Sequence, residues 1–578
     1  MHGFDDVPSS GPEAPSSGPW YTALNRYHWF VLVVAALGWL FDTMDQQLFN
    51  LARVPAMREL VADSQKIDKY GGIATCIFLI GWATGGLGFG ILGDKIGRAK
   101  TMLWTILLYS AFTGLSALST GFWDFAVYRF LTGLGVGGEF AVGVSLVAEV
   151  MPTRARPFAL GLLQALSAVG NITAAIISIV LTEMEHSGSV GSAWRIMFVV
   201  GTLPALLAVA IRRRLKEPER WQSMSDDQLK KKLGSYGELF GTAPWNRHAL
   251  IGMALAFSGV VGLWGIGFFS IDLTRSVFQK KLEAERREQH EAEKDREFVR
   301  ALVLNGKTAE ALPEGKSPAW PAPNQLLGLT AGNRDAEVLY TALRALHKEN
   351  AKVTPEAVLD QADKATEASS GVAAKSSEDR SRRAEYLNVA GDAPTDADVA
   401  AHAARITQRA GDIRYSLGYY AGITSIMLNI GAFFGIYGFT YLTHSIGRKP
   451  AFAIAYVAAF LSTVLVFWKL QNFSEIFWMI PLMGFCQLAL FGGYAIYFPE
   501  LFPTHLRSTG TSFCYNVGRF VAASGPFALG LLTSEVFTRE NGFNEGMRYA
   551  GVSMCSVFLL GLVILPFAPE TKGKPLPE

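Results

Sequence analysis

The chain has little charge and little cysteine for its size. Only 18% of its 578 residues are charged, whereas a soluble domain usually has about 25%. The net charge of +2 gives no global field that would favour nucleic acid. Its four cysteines lie in apolar runs without the spacing of metal ligands or disulfides. We interpret them as buried thiols and expect no metal site and no cofactor.

The sequence also lacks the patterns that would indicate an enzyme. We find no metal-ligand spacing, no nucleophile elbow and no phosphate-binding loop. A catalytic function is therefore not favoured.

Long apolar segments are what the chain has in abundance, since half of its residues are hydrophobic. A spanning helix needs about 20 mostly apolar residues to cross a hydrocarbon core of ~30 Å. About twelve segments reach that length and are apolar on nearly every face. They lie near residues 28–50, 71–93, 101–119, 123–149, 157–182, 194–211, 249–273, 416–443, 450–469, 474–498, 507–534 and 547–567. We predict an all-α polytopic membrane protein with twelve transmembrane helices.

Polar segments divide these helices into two groups of six. The predicted organisation is a disordered tail and juxtamembrane segment at 1–27, a first bundle at 28–211, a linker at 212–248, a second bundle at 249–273 and 416–567, an insertion at 274–415 and a tail at 568–578. Residues 1–19 are rich in Ser, Pro and Gly and do not have the pattern of a cleavable signal.

The insertion at 274–415 is rich in Ala, Glu, Lys and Arg, and the stretches Gln279–Leu302 and Asp335–Glu349 are predicted to be helical. It could be an outer cap that binds a protein partner, of unknown kind, or a tolerated surface insertion. The second interpretation is favoured because no motif constrains the segment.

Basic residues in short loops predict the orientation. The turn at 94–100, the turn with Arg154 and Arg156, the linker, the pair Arg448–Lys449 and the C-terminal tail are all basic. With twelve helices they fall on one side, so we expect both termini to be cytoplasmic and the protein to lie in the cell membrane.

Two short patterns occur twice. Gly97-Arg98 recurs as Gly447-Arg448, and Glu-x-x-Pro-Thr-x-x-Arg occurs at 149–156 and again at 500–507. The distance from the glycine to the glutamate is 52 residues in the first copy (97 to 149) and 53 in the second (447 to 500). We infer a duplicated, pseudo-symmetric six-helix unit.

The sequence resembles the major facilitator superfamily of secondary transporters. Gly90-x-Leu92-x-Asp94-Lys95-x-Gly97-Arg98-x-Lys100 resembles its signature between the second and third helices, and Arg129-x-x-x-Gly133-x-Gly135 its fourth-helix motif. The resemblance implies two six-helix bundles, a substrate site between them near the midplane, and alternating access by rocking.

Two further segments resemble different branches of that superfamily. Asp42-Thr-Met-Asp45 resembles the Asp-Gly-Phe/Tyr-Asp pattern of aromatic-acid and related metabolite:proton symporters, with Thr43 in place of glycine. The segment Glu217–Trp221 resembles the one that closes the first half in sugar porters.

Ionisable residues inside the predicted spans are the main candidates for function, because they are expensive to keep there. Asp42 and Asp45 share a helix face, and we predict proton coupling at these carboxyls, with Asp45 preferred. Alternatively, both are hydrated carboxylates near the outer end of the helix. Arg129 would bind an anionic substrate or form an ion pair with a first-helix aspartate. Arg519 is the sharpest candidate for a carboxylate partner.

Polar and aromatic side chains on several helices complete the predicted substrate site. They are Arg129, Gln164, Asn171, Trp264, Gln487, Tyr494, Asn516 and Arg519. Any one of them could instead only bond a neighbouring helix. As a set they suit a polar, carboxylated substrate with an apolar or aromatic body.

Paired charges at the ends of helices predict a gate. Glu149 and Glu500 end their helices next to basic turns, and the resemblance implies that such residues latch the inner gate. The predicted gate residues are Asp94, Arg98, Glu149, Arg156, Arg448, Glu500 and Arg507. We expect Asp94 to face the N-terminus of a helix of the second half. Alternatively, these are ordinary charges at helix ends.

Together these patterns predict a proton-coupled importer of a small organic acid, whose partners are its substrate, protons and the lipid bilayer. The nearer alternative is a sugar or polyol transporter. A non-transporting receptor whose insertion is the sensor is a third possibility.

Overall fold

A computed structural model gives the architecture of the chain. It describes residues 19–61, 67–205, 215–218, 233–263, 269–285, 354–370, 396–522 and 546–577, with isolated positions between 338 and 384 and at 532, 536 and 537. The regular elements in these ranges are helices, and no strand occurs among them.

The helices of the first half of the chain are α1 (Arg26–Leu60), α2 (Ile67–Ile96), α3 (Arg98–Ser116), α4 (Phe122–Val150), α5 (Arg156–His186) and α6 (Ala193–Val200). The later helices are α7 (Tyr236–Gly241), α8 (Trp245–Gly262), α9 (Phe269–Glu285), α10 (Pro355–Ser370), α11 (Asp396–Ile446), α12 (Arg448–Lys469), α13 (Phe473–Leu501), α14 (Arg507–Ala522), α15 (Gly546–Met554) and α16 (Val557–Ile564). Below, "first half" means α1–α6, and "second half" means the described residues of 245–274 and 419–577.

Eight helical segments of the described residues are long and apolar enough to cross a membrane, and the last of them, Gly546–Phe567, contains both α15 and α16. Large apolar side chains on their flanks are exposed, as with Trp123 at 70% and Val563 at 66%. Such surfaces are stable against lipid rather than water. Parts of the predicted sixth, seventh and eleventh spans lie outside the described residues, so the count of twelve stays a prediction.

The chain divides into two compact units, one of residues 275–418 and one of the remaining chain. The helix ends do not coincide with the predicted ends of the insertion, because α9 continues to Glu285 and α11 already begins at Asp396. Mostly helix-forming residues continue these apolar helices, and Gly411 and Gly418 lie within α11 without ending it, so the change from apolar to polar sequence is not a change of backbone. In unit 275–418, Arg383 forms an ion pair with Asp363 at 3.0 Å.

Equivalent helix pairs pack closely in the two halves. A methyl group built on Gly85 of α2 would collide with the carbonyl of Leu134 on α4. The corresponding position in α11, Gly435, meets the carbonyl of Phe485 on α13 in the same way. Small residues that let backbones approach are typical of helix packing in lipid, and the same device recurs in both copies of the repeat.

The two Gly-Arg turns also have the same backbone. Gly97 has φ of +109° immediately before α3, and Gly447 has φ of +97° immediately before α12. Both values lie in the left-handed region that favours glycine. The repeated sequence therefore produces a repeated local structure.

Candidate functional site

A buried cluster of charges joins the two halves at one end of the bundle. Glu149 Oε1 accepts hydrogen bonds from Arg98 Nη2 at 3.0 Å and from Arg507 Nη1 at 3.1 Å. The side chains of all three are inaccessible to solvent. Because Arg507 belongs to the second half, this single carboxylate oxygen links the halves.

Asp94 makes a second connection between the halves at the same end. Its carboxylate accepts from the backbone N–H groups of Ser508 at 3.3 Å and Thr509 at 2.9 Å, and from Thr509 Oγ1 at 2.6 Å. These groups form the first turn of α14, where unsatisfied N–H groups and the helix dipole favour an anion. The expectation that Asp94 faces a second-half helix N-terminus agrees with this geometry.

The second copy of the motif is connected differently. Glu500 accepts from Arg448 at 2.8 and 3.2 Å and from Thr571 Oγ1 at 2.6 Å, all within the second half. Arg156, the first-half counterpart of Arg507, is buried and donates to the Ala148 carbonyl at 2.8 Å. The repeated motif thus gives an asymmetric pair, in which Glu149 crosses between halves and Glu500 holds its own half together.

Two carboxylates that sequence reasoning did not select as site residues cap the paired turns. Glu217 accepts from the N–H groups of Ala99 at 3.2 Å and Lys100 at 3.1 Å, at the start of α3. Glu570 accepts from those of Arg448 at 3.0 Å and Lys449 at 3.1 Å, at the start of α12. A signal existed in the sequence, since a Pro adjoins a Glu after each half, at Pro218 and Pro569.

The electrostatics of the second cap follow from its donors. Partial burial raises the pKa of Glu570, but backbone N–H donors, the first of them that of Arg448, together with the Arg448 charge outweigh it, so the net pKa is lowered. The carboxylate is therefore held in its charged form at neutral pH.

Asp45 and Arg129 form a buried ion pair inside the first half. Arg129 Nη1 lies 3.6 Å from Asp45 Oδ2, and Thr113 Oγ1 donates to Asp45 Oδ1 at 2.7 Å. Arg129 also donates to Ser116 Oγ at 2.8 Å and to Thr132 Oγ1 at 3.0 Å. Its guanidinium lies 4.5 Å from the centre of the Phe198 ring, with Phe49 and Phe125 nearby. Of the two interpretations of Arg129, this geometry favours the ion pair.

Asp42, one turn earlier on α1, is in a different environment. It is fully buried, and neither of its carboxyl oxygens has a hydrogen-bond partner in the described part of the chain. Glu139 on α4 is likewise buried with both oxygens unsatisfied. The interpretation of Asp42 as a hydrated carboxylate at the end of the helix is wrong, because the side chain has no solvent exposure.

Thr43 replaces the glycine of the symporter pattern and binds a neighbouring helix. Its hydroxyl donates to the Ser167 carbonyl on α5 at 3.0 Å and to the Leu40 carbonyl at 3.0 Å. The departure from the pattern therefore places a hydrogen bond between α1 and α5.

Arg519 lies on α14, between the two halves. Its guanidinium carbon is 3.9 Å from the centre of the Trp82 ring of the first half and 4.4 Å from that of Tyr515. Nη1 donates to the Tyr515 carbonyl and to Asn516 Oδ1, each at 2.9 Å. Nε has no hydrogen-bond partner among the residues described. Asp42 is the carboxylate with which Arg519 interacts electrostatically.

The remaining predicted substrate contacts have mixed surroundings. Asn171 donates to Asn429 across the halves at 2.8 Å, and the Tyr494 hydroxyl donates to the Leu255 carbonyl at 2.9 Å. Both contacts favour the alternative interpretation, hydrogen bonding between helices.

Of the three other predicted contacts, Gln164 and Gln487 each keep an atom free for a hydrogen bond within the described part of the chain, and Trp264 cannot be assessed. Gln487 donates to Thr463 Oγ1 at 2.6 Å. Its Oε1 atom and that of Gln164 are buried without a partner in the ranges given above. Trp264 lies outside the described residues.

The helical architecture, the exposed apolar flanks and the two charge clusters at the repeated turns agree with the expected major facilitator transporter. The sequence profile of the family described as "Sugar (and other) transporter" matches residues 39–247 and 395–572. The chain belongs to this family.

Individual relatives show how far the similarity extends. The "Probable 4-methylmuconolactone transporter" of Cupriavidus pinatubonensis is 23% identical over 96% of this chain and 93% of its own. The benzoate transport protein of Acinetobacter baylyi is 30% identical over 34% of this chain, and the match spans 40% of that protein. Among solved structures, the proton:xylose symporter XylE superposes with a TM-score of 0.53 at 15% identity, covering 95% of this chain and 98% of that one. That likeness concerns the fold alone.

Proposed function

We propose that the protein carries a small organic acid together with a proton by alternating access. The observation that carries this proposal is Arg519, a buried cation between the halves whose Nε lacks a partner in the described ranges. A substrate carboxylate is the natural acceptor for such a group, because guanidinium and carboxylate form strong, directional hydrogen bonds.

The surroundings of Arg519 support an aromatic or otherwise flat apolar body. Trp82 and Tyr515 flank the guanidinium, so a ring entering beside it would meet aromatic faces. Similarity to proteins named for 4-methylmuconolactone and benzoate points in the same direction. Arg129 is already engaged with Asp45, so we assign the anion to Arg519 alone.

Carboxyls of the first half would carry the proton. A carboxylate that moves with one proton is neutral overall, so the pH gradient and not the membrane potential would drive it. A neutral sugar with one proton would instead gain about 2.3 kcal/mol per 100 mV. The driving force therefore separates the two substrate classes.

The charge cluster around Glu149 would act as the inner latch. Its bond to Arg507 crosses between the halves, and rocking would have to break it, whereas its bond to Arg98 lies within the first half. By the distribution of basic loops, this end and both termini would face the cytoplasm.

The test is uptake of labelled benzoate by proteoliposomes under an imposed pH gradient or an imposed potential. We expect accumulation with an acidic exterior and no response to potential alone. Arg519→Gln should abolish binding, and Arg519→Lys should weaken it. Arg195→Gln is the matched control, since that arginine is partly exposed and pairs with Glu59. Equal benzoate uptake by Arg519→Gln and by the wild type would refute the assignment.

A sugar is the second candidate substrate. Gln164 and Gln487 each keep a buried amide oxygen without a partner in the described residues, and such oxygens accept bonds from sugar hydroxyls. Uptake of xylose or glucose driven by potential, with no response to benzoate, would favour it over the acid.

A further inference from the structure

Asp42 and Glu139 approach each other from two helices of the first half. A methyl group built on Gly38 would collide with Glu139 Oε1, so the Glu139 carboxyl lies directly against α1 at that glycine. Gly38 and Asp42 are four residues apart and therefore share a helix face. The two carboxyls interact electrostatically across this small space.

The pair lacks the partners that buried carboxylates normally have. Both side chains have no solvent exposure, and none of the four oxygens has a hydrogen-bond partner in the described part of the chain. A buried ionised carboxylate without hydrogen bonds is costly. Two of them side by side cannot both be charged, and such pairs take up a proton between them.

The charged and titratable groups that face the pair are few. Those that interact with it in the described structure are Asp45 on α1, Tyr109 on α3, and Tyr515 and Arg519 on α14. Arg519 is the single cation among them. Asp45 is engaged by Arg129.

A count of these charges gives the number of protons. The carboxyls are Asp42, Asp45 and Glu139, and the guanidiniums are Arg129 and Arg519. With all of them ionised, three negative and two positive charges leave a net charge of −1 in a site without water-exposed side chains. One proton makes the site neutral. This proton belongs on Asp42 and Glu139, whose carboxyls lack hydrogen bonds within the described residues. Asp45 does not need it, because Thr113 donates a hydrogen bond to its carboxylate and Arg129 forms an ion pair with it.

We propose that Asp42 and Glu139 share one proton in the substrate-free protein and that this pair, rather than Asp45, is the proton-binding site of transport. The second part rests on the proposed function. When a substrate carboxylate binds Arg519, that guanidinium no longer balances the charge of the Asp42/Glu139 pair. The pair then binds a second proton from the outer solution. That proton and the substrate leave together on the inner side, so one proton accompanies one carboxylate.

The shared proton can be tested without any substrate. Infrared spectra of the purified full-length protein, titrated from pH 5 to pH 8, report the C=O stretch of a protonated carboxyl. We expect the wild type to keep one such band at neutral pH. Asp42→Asn and Glu139→Gln should each abolish it, because the remaining carboxylate is then balanced by Arg519.

Two control variants make this outcome specific. Asp45→Asn combined with Arg129→Gln removes the other ion pair as a unit and leaves the charge count unchanged, so the band should persist. Glu183→Gln, at an exposed position of α5, should also retain it. Absence of the band from the wild type, or its loss from the Asp45/Arg129 variant with retention in Glu139→Gln, would overturn the proposal.

A second experiment links the pair to transport. Proton uptake on binding of benzoate, measured by calorimetry in buffers of different ionisation enthalpy, should be about one per benzoate in the wild type. It should be absent in the combined Asp42→Asn, Glu139→Gln variant. Uptake that persists in this variant overturns the role of the pair and leaves the proposed function standing. Wild-type binding without proton uptake contradicts the proposed function, whereas the infrared result for the empty protein is unaffected.

Discussion

Glu149 gives the sharpest prediction, because one of its oxygen atoms accepts hydrogen bonds from an arginine of each half. In the wild type, Arg507 Nη1 donates to Glu149 Oε1 at 3.1 Å. Glu149→Gln replaces the carboxylate with a neutral amide and so removes this charge-assisted hydrogen bond. A hydrogen bond to a charged group contributes about 1.5–3 kcal/mol. A free-energy change of ~1.4 kcal/mol corresponds to a factor of ten in an equilibrium constant. The equilibrium between conformers in which the halves touch at Glu149 and conformers in which they are separated there should therefore shift about 10- to 100-fold toward the separated ones.

Glu500→Gln is the matched control. Glu500 is the repeat counterpart of Glu149, but its bonds to Arg448 and Thr571 stay within the second half. Its loss should lower thermal stability and leave the spacing between the halves nearly unchanged. Arg507 remains supported in Glu149→Gln, because it also donates to the Pro577 carbonyl at 3.0 Å.

The assay is a distance measurement by double electron–electron resonance. Nitroxide labels at Arg154 of the first half and Ser445 of the second, both exposed, would report the opening in a background without native cysteines. We expect Glu149→Gln to enrich the longer distances and Glu500→Gln to resemble the parent. Equal distance distributions for the two variants would refute the view that Glu149 alone of the pair is the latch.

Two further predictions concern the caps of the paired turns. Gly97→Ala should lower the melting temperature, because φ of +109° with ψ of 155° costs an L-residue about 1–3 kcal/mol and the new methyl group would meet Glu217. Gly72 lies within α2, and a methyl group built on it would meet no neighbouring atom in the described structure, so Gly72→Ala should instead raise the free energy of unfolding by about 0.5–1 kcal/mol. Equal changes of melting temperature in the two variants would contradict this account. Glu570→Gln should lower the melting temperature of the protein at neutral pH. The pKa of Glu570 is lowered from its usual 4.5, so its contribution is present above that value and is lost as the pH falls below it. Melting curves of both proteins should therefore converge in acid, and a constant difference would argue against the cap.

The asymmetry between Glu149 and Glu500 follows from the different surroundings of the two copies of the motif. Glu149 and Glu500 occupy the same position in the repeat, yet only Glu149 bonds across the halves. The C-terminal segment occupies the space beside Glu500, where Thr571 provides a hydroxyl donor. Duplication thus provides two similar sets of charges, and the segment that follows the second set changes the partners of its glutamate.

The sequence by itself determined the class and the repeat of this protein, and it selected the charged residues that we propose as a gate. Length and apolarity of the helices, Gly-Arg turns and the Glu-x-x-Pro-Thr-x-x-Arg pattern are local properties, and local properties can be recognised without coordinates. The capping glutamates Glu217 and Glu570 could also have been identified from the sequence, because each adjoins a proline at the end of a half.

Only the tertiary structure decided how the buried charges are paired. In the sequence, Asp42 and Asp45 are equivalent carboxylates three residues apart. In the fold, Asp45 meets Arg129 at 3.6 Å, while Asp42 lies near Glu139 and Arg519. These partners are between 84 and 477 residues distant along the chain (45 to 129 and 42 to 519). Coulomb energy depends on separation in space and on burial, so no pattern in the sequence could assign the partners.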